Sequence, residues 1–217
     1  MCGSYCGTVA GSNLQELLGA QAEAIGLSEI PWDRLDGLGR QWLRFGRAMN
    51  LSGAKDLPAL AVQIWEGLEV VALAKGLGCT EGQRWIDVGS GAGFPGLLVA
   101  ACLPVSVVLV EPRERRAAFL ELMMGELRSR GQVVRGRLED GGVEDAKGSL
   151  VGERFEWASA RAVFSPEEWL RRSRVLLKEG GVTVVHLHRG DADPLGQVAL
   201  GKVEGEKWSV RGYRCST

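Results

Sequence analysis

A glycine-rich turn stands between an apolar strand pattern and an apolar helix pattern, and few folds accommodate that order. Residues 87–96 read DVGSGAGFPG, directly after Trp85 and Ile86 and directly before an apolar stretch over 97–103. Glycines let a backbone turn sharply and approach a bound nucleotide closely. The first turn of the following helix presents unpaired N–H groups. This order of strand, glycine turn and helix predicts a nucleotide-binding βα unit.

From residue 84 onward, short β-branched runs alternate with amphipathic helical patterns. Strands are predicted over 85–88, 105–110, 133–134, 155–158 and 182–187, and helices over 97–103, 113–130 and 166–178. Strands separated by helices form βαβ units, which build a parallel sheet with right-handed crossovers. The predicted fold class is therefore α/β, a Rossmann-like domain over residues 79–217. Within it, the polar stretch 139–152 is predicted to be a loop.

Residues 1–78 show helical periodicity and no strand pattern. Apolar side chains recur at steps of three or four over 14–25, 33–49 and 57–77, which is the spacing of one helix face. We therefore expect an N-terminal helical cap over 1–78, packed with the 79–217 domain as one unit.

Two nucleotide ligands fit the glycine turn. Gly91-x-Gly93-x-x-Gly96 matches the dinucleotide fingerprint, and Glu111 follows Gly91 by twenty residues, where a ribose-binding acid belongs. Asp87-x-Gly-x-Gly-x-Gly matches the version typical of methyltransferases. A carboxylate at the strand tip suits the positively charged amino-acid end of S-adenosylmethionine and is poorly placed beside a pyrophosphate, so the residues favour the methyl donor. A dinucleotide, or a turn that binds nothing, stays open as an alternative.

The charge balance alone does not indicate a nucleic-acid partner. The chain has 217 residues, 26 basic and 27 acidic side chains and a formal net charge of -1. Any contact with RNA must therefore come from local basic patches. Two arginine groups are candidates for such contacts: Arg40, Arg44 and Arg47 on one predicted helix face, and Arg113, Arg115 and Arg116 at the start of another.

Cysteine usage and hydropathy indicate a cytoplasmic protein. The five cysteines form no C-x-x-C pair, which favours reduced thiols over a disulfide framework or a zinc site. The two histidines, His186 and His188, lack a third ligand, so we expect no metal. No apolar run is judged to approach the roughly 18 residues of a membrane span, and residues 1–4 do not resemble a secretory signal.

Several further motifs together resemble one family, the small-subunit ribosomal RNA methyltransferase G family, also called glucose-inhibited division protein B. The resemblance covers about residues 42–190. It is carried by Asn50-Leu51-Ser52 with Lys55-Asp56, by the segment 86–96 with its Pro95-Gly96, by Glu111 with Arg116 and Phe119-Leu120, by Arg137-Leu138-Glu139-Asp140, and by Ala160-Arg161-Ala162. Members of this family transfer a methyl group from S-adenosylmethionine to N7 of one guanine in 16S rRNA.

The resemblance implies a class I S-adenosylmethionine-dependent methyltransferase sheet and a set of site residues. The donor would be bound by Asp87, Gly89, Ser90, Gly91, Gly93, Phe94, Glu111, Leu138, Glu139 and Arg161. Glu111 would bind ribose hydroxyls and Leu138-Glu139 would lie at the adenine. Arg161, Arg189 and Asn50 would serve the substrate side. The implied partner is 16S rRNA or the small ribosomal subunit. We expect the protein to be a monomer that does not associate with a membrane.

The chain departs from the family pattern in three places. The family's His-Ile-x-Asp-Ser-Leu is represented by residues 63–68, QIWEGL, and its Leu-Lys-Gly by His188-Arg189-Gly190. The chain is also expected to stop short of the family's final strand, soon after residue 211. A second hypothesis is therefore a diverged homologue that binds the donor but has an altered RNA target or no turnover.

The implied reaction requires no acid–base or nucleophilic group from the protein. N7 of guanine carries a lone pair and no proton, so its attack on a methyl group needs no general base. Catalysis would come from alignment of the reacting atoms. Methylation of a cytosine carbon would instead require a nucleophilic cysteine, whereas Cys102 falls within an apolar helix pattern.

Overall fold

The computed structural model describes residues 13–49, 51, 53–194 and 196–215. In chain order the elements are α1 (Leu14–Ala24), α2 (Trp32–Met49), α3 (Leu57–Gly76), β1 (Arg84–Val88), α4 (Gly96–Cys102), β2 (Ser106–Val110), α5 (Glu114–Leu127), β3 (Gly131–Val134), β4 (Gly136–Glu139), β5 (Gly142–Asp145), β6 (Phe155–Ala160), α6 (Pro166–Arg172), a 3₁₀ turn (Ser173–Val175), β7 (Leu177–His188), β8 (Gly201–Glu204) and β9 (Trp208–Arg214).

Three helices begin at residues whose side chains cap the free N–H groups of the first turn. Asn13 accepts from the backbone of Glu16 at the start of α1, and Asp56 accepts from Ala59 at the start of α3. Ser165 caps α6, which has a proline in its first turn. Each such cap contributes on the order of 1 kcal/mol, so the local sequence specifies where these helices start.

The seven-stranded sheet has the order β3-β2-β1-β6-β7-β9-β8. The first five of these strands are parallel, and β9 pairs antiparallel with both β7 and β8. Asp87 on β1 lies beside Leu109 on β2 and beside Ser159 on β6. The carboxyl ends of these three central strands therefore meet at one edge, where ligands bind in open α/β sheets.

Each face of the sheet is covered by its own hydrophobic layer. One core cluster joins side chains of the cap helices and of α4 and α5 to Trp85, Trp157 and Val184 on the strands. The other joins α6 and the β4–β5 pair to strand residues such as Ile86 and Val108. The cap helices thus share a core with the sheet.

The loop predicted over 139–152 is wrong for its first part, since β4 and β5 form an antiparallel two-stranded sheet there. The predicted loop was inferred from polar composition, but Leu138 and Val143 are opposite each other and both are buried. The remaining side chains of these two strands are mostly exposed. A polar sequence with one buried apolar pair is sufficient for a ribbon that packs on one side.

The helix predicted over 166–178 is too long. α6 ends at Arg172 and, after the 3₁₀ turn, β7 already begins at Leu177. Leu176 and Leu177 are buried in the second core cluster, and Leu177 pairs with Phe155 on β6. Burial against the sheet overrides a helical pattern in this stretch, as tertiary packing often does with propensity.

Two further expectations need correction. The chain does not lack a last strand, because Trp208–Arg214 is itself the antiparallel strand between β7 and β8. An apolar run of membrane-spanning length does exist, since α3 is long and apolar enough to cross a bilayer by length and composition. In this structure 61% of its most apolar stretch is buried inside the protein, so α3 is a core helix of the fold.

Candidate active site

The glycine turn joins β1 to α4 and is held against the end of β2. The N–H groups of Gly89 and Ser90 both donate to the carbonyl of Val110, at 2.8 and 3.0 Å. Gly89 has φ +71°, and a Cβ atom at this position would lie 2.5 Å from Val163. Both the left-handed backbone and the close approach of the loop after β6 require glycine.

Asp87 lies on β1 directly before the glycine turn. Its carboxyl is buried, and its Oδ1 accepts from the hydroxyl of Ser159 at 2.7 Å. That hydroxyl in turn accepts from the indole N–H of Trp85 at 2.8 Å. Asp87 Oδ2 has no hydrogen-bond partner among the described residues. Burial raises the pKa of Asp87 to about 6, although the Ser159 hydrogen bond acts in the opposite direction.

Glu111 ties the end of β2 to the turn. Its two carboxylate oxygens accept from the backbone N–H groups of Gly91 and Arg113, each at 2.9 Å. The side chain is buried yet lines the pocket described below. Since each carboxylate oxygen has two lone pairs, both can accept one further hydrogen bond from a ligand.

The helical cap contacts the glycine turn through Trp42. The indole N–H of Trp42 on α2 donates to the carbonyl of Ala92 at 2.6 Å. The Trp42 ring also stacks on Phe94, with 4.5 Å between the ring centroids and 20° between the planes. A cap residue therefore fixes the shape of the turn.

These elements surround a cavity of about 830 Å³ at the carboxyl edge of β1, β2 and β6. Eight of the predicted site residues line it: Gly89, Ser90, Gly91, Phe94, Glu111, Leu138, Glu139 and Arg161. Asp87 and Gly93 do not line it, because both residues are buried inside the protein. Arg189 lies at the exposed end of β7 and is also not among the lining residues. Asn50 lies outside the described residues.

The pocket also contains side chains that were not predicted to bind the donor. From the cap these are Leu51 and Gln63, and from the sheet side Arg113, Arg116, Arg137, Phe164 and Arg172. Leu51, Gln63, Arg116 and Arg137 stand in the family motifs, and Arg113 and Arg116 were candidates for RNA contact, so the sequence held a usable signal for these residues. Phe164 and Arg172 gave none. They meet because α6 folds back on the β4 strand, where Arg172 donates to the carbonyl of Leu138 at 3.3 Å and lies over the Phe164 ring.

Arg161 directly follows β6 and begins the segment 161–164, which closes one side of the pocket. It pairs with Glu66 on α3, and the next residue, Ala162, has φ +55°. A non-glycine residue in the left-handed region costs roughly 1 kcal/mol or more. Such strain persists where the surroundings hold the backbone, as Val163 does by packing on Gly89.

The comparisons with known proteins agree with this geometry. The family model for rRNA small subunit methyltransferase G (GidB) matches residues 35–193. The chain belongs to this family.

Individual relatives fit the same family. A ribosomal RNA small subunit methyltransferase G of Mycolicibacterium smegmatis is 34% identical over 148 residues, which cover 68% of this chain and 56% of the relative. The Sinorhizobium fredii protein of the same name is 29% identical, covering 77% and 76% of the two chains. The chain spans about half the length of several of the curated relatives it matches.

A solved methyltransferase from Pyrococcus furiosus has the same fold, with a TM-score of 0.53, 13% identity and coverage of 85% of this chain and 99% of that one. At this identity the likeness supports the fold alone. Together with the seven-stranded sheet, it confirms the Rossmann-like class I methyltransferase fold.

The two histidines and the half-buried cysteines are not part of the pocket lining. His186 is half-buried with both ring nitrogens withdrawn from solvent, and this desolvation lowers its pKa to about 4, so it is neutral at physiological pH. His188 is exposed and stacks on Trp208 with 4.3 Å between the ring centroids. Within the described ranges, no group of three or more metal-ligating side chains occurs. The thiols of Cys79 and Cys102 have pKa values raised to about 12 by burial, which makes them poor nucleophiles.

Proposed function

We propose that this member of the rRNA small subunit methyltransferase G family transfers a methyl group from S-adenosylmethionine to N7 of a guanine in 16S rRNA. The observation that carries the proposal is one cavity at the carboxyl edge that joins the glycine turn, Glu111 and Arg161. The partner would be 16S rRNA or the small ribosomal subunit, met by a monomeric cytoplasmic protein.

The residues around the turn fit the donor. Asp87 Oδ2 is a buried, ionisable oxygen without a described hydrogen-bond partner, and a cationic amino group in its vicinity would compensate its burial. Glu111 can accept from ribose hydroxyls with its remaining lone pairs, and Leu138 and Glu139, which line the same cavity, are assigned to the adenine. When bound, the donor supplies an electrophilic methyl group on a sulfonium.

A dinucleotide fits these residues less well. Its pyrophosphate would stand close to the buried carboxyl of Asp87 at the tip of β1, whereas Glu111 suits a ribose in either ligand. Like charges brought together in a buried site are strongly unfavourable. The donor, in contrast, carries two positive charges and one negative charge.

The acceptor chemistry matches what the pocket contains. Its described lining includes no histidine, cysteine or lysine. A neutral N7 lone pair needs no base, so orientation is what the protein must provide. We assign this to Arg161 and the segment up to Phe164, which close the pocket beside the cap.

Cations near the pocket supply the RNA contact that the overall charge of -1 does not. Arg113 and Arg137 line the cavity and are exposed. Arg189 follows the exposed His188–Trp208 stack at the same edge of the sheet. Arginines that contact phosphate and aromatic rings that contact bases are the usual components of an RNA-binding surface.

The test is mass mapping of methylated nucleotides in small-subunit RNA from cells with and without this gene. We expect one N7-methylguanine to be lost with the gene and restored by incubating the deficient subunits with purified protein and S-adenosylmethionine. Binding of S-adenosylhomocysteine without transfer to either naked 16S rRNA or assembled subunits would instead select the diverged binding homologue. Tight binding of NADH in place of S-adenosylhomocysteine would refute the proposal.

A further inference from the structure

Among the described residues, the guanidinium of Arg161 has one side-chain partner, which comes from the helical cap. Nη2 of Arg161 at the end of β6 pairs with Oε2 of Glu66 on α3. Both side chains are largely withdrawn from solvent, with 29% and 15% of their surface exposed, so the pair is screened less than a surface pair. Across the described part of the chain, no other side chain bonds the Arg161 guanidinium.

Glu66 reaches the pocket only through Arg161. Arg161 lines the cavity and Glu66 does not, whereas Gln63, one turn earlier on α3, also lines it. Because guanidinium has five N–H donors and Glu66 engages one nitrogen, the other donors can bind a phosphate or a base oxygen. An arginine side chain loses rotamer entropy when it is ordered, and the pair removes much of that freedom before RNA binds.

The other ionisable groups near Arg161 are poor substitutes for Glu66. Glu69 follows on α3 and is buried, and its pKa is raised to about 7 by burial. His186 on β7 is neutral because burial lowers its pKa to about 4. Asp87 Oδ1 is bound by Ser159, and its Oδ2 has no hydrogen-bond partner among the described residues, Arg161 included.

We infer that Glu66 is a positioning residue that holds Arg161 in the orientation required by the methyl-accepting RNA. This inference rests on the proposed function. Glu66 would contribute to the use of RNA and not to donor binding, because the ribose and the adenine are assigned to Glu111 and Leu138, which are held by Gly91, Arg113 and Arg172 and not by Glu66. A misplaced orienting group can cost about a hundredfold in rate.

The experiment compares Glu66→Gln, Glu66→Asp and Arg161→Met with the wild type, and uses Glu23→Gln, an exposed glutamate on α1, as the matched control. Glu66→Gln should lower kcat/KM for small-subunit RNA tenfold to a hundredfold and leave the Kd for S-adenosylhomocysteine within about twofold. Glu66→Asp, which keeps the charge, should recover part of the rate. The double variant Glu66→Gln with Arg161→Met should be no slower than Arg161→Met alone, because Glu66 acts through Arg161.

Two results would overturn the inference about Glu66 and leave the proposed function standing. These are a Glu66→Gln protein as active as the wild type, and losses of activity that multiply in the double variant. A Glu66→Gln protein that loses S-adenosylhomocysteine binding as much as activity would assign Glu66 to general structure. A wild-type protein that binds S-adenosylhomocysteine but methylates no small-subunit RNA would overturn the proposed function, and the inference with it.

Discussion

Asp87 combines a structural cost with a proposed binding role. Burial raises its pKa from 3.8 to about 6, so the folded protein holds this proton more tightly than the unfolded chain. The stability associated with the proton is present below pH 4 and is lost as the pH rises through 6. The size of this effect is roughly 3 kcal/mol. Residues that destabilise a fold in this way are common at functional sites.

If the ionised carboxyl of Asp87 faces the amino group of the donor, ligand affinity must depend on pH. Between pH 5 and 7 the amino group of S-adenosylhomocysteine stays protonated while Asp87 titrates. We therefore expect the wild-type Kd to be about tenfold weaker at pH 5 than at pH 7. Titration calorimetry across this range measures the change.

Asp87→Asn provides the control. It should bind S-adenosylhomocysteine weakly at every pH, with little pH dependence, and above pH 6 it should melt no earlier than the wild type, since no buried charge remains. A pH-independent wild-type affinity would show that this carboxyl does not contact the amino group.

At the scale of elements, the contact between α3 and α4 depends on one small residue. A Cβ atom at Gly67 would lie 2.7 Å from Cγ and 3.1 Å from Cβ of Leu98. Gly125 on α5, by contrast, has no atom within 4 Å of the same position. Both are helical glycines without a positive φ, so they differ mainly in the available space.

Substitution by alanine should therefore have opposite effects at the two positions. Gly67→Ala overpacks the α3–α4 contact and should cost about 1–3 kcal/mol. Gly125→Ala should stabilise the protein by about 0.5–1 kcal/mol, because alanine is the better helix former. Urea unfolding of both variants measures the difference. Equal stabilisation at both sites would mean that Leu98 moves aside without cost.

The elements that sequence reasoning predicted are those with strong periodicity or local signals. α1 to α3 and β1 to β3 are found within a few residues of their predicted bounds, because apolar spacing and capping residues act locally. β4 and β5 were missed because their pairing depends on one buried contact between Leu138 and Val143. β9 was missed because it depends on a neighbour twenty residues away in the chain, at His188.

The same division applies to the site. Gly89, Gly91 and Glu111 belong to a motif that is visible in the sequence and line the pocket, and their binding of the donor stays a prediction. Ser159, which bonds Asp87, lies just past the strand predicted over 155–158, and only the register between β1 and β6 brings the two together. The pair of Glu66 with Arg161 spans 95 residues, a separation that no local pattern records.

At the scale of the whole molecule, the cap and the sheet share both a core and a binding site. One hydrophobic cluster runs from Leu14 on α1 to Val210 on β9. Trp42 on α2 bonds the turn that the donor would contact, and α3 supplies Gln63 to the same cavity. Residues 1–78 are therefore proposed to act as a structural part of the active site.

This arrangement predicts that cap and sheet unfold together. Differential scanning calorimetry should give one transition with equal calorimetric and van't Hoff enthalpies, and S-adenosylhomocysteine should raise its midpoint as a whole. Trp42→Phe keeps a ring on Phe94 but removes the N–H donor to Ala92, so it should cost about 1 kcal/mol and weaken S-adenosylhomocysteine binding, still with one transition. Two separate transitions, of which only the later responds to the ligand, would mean that the cap is an independent domain, because a cap that shares the site cannot melt before the site does.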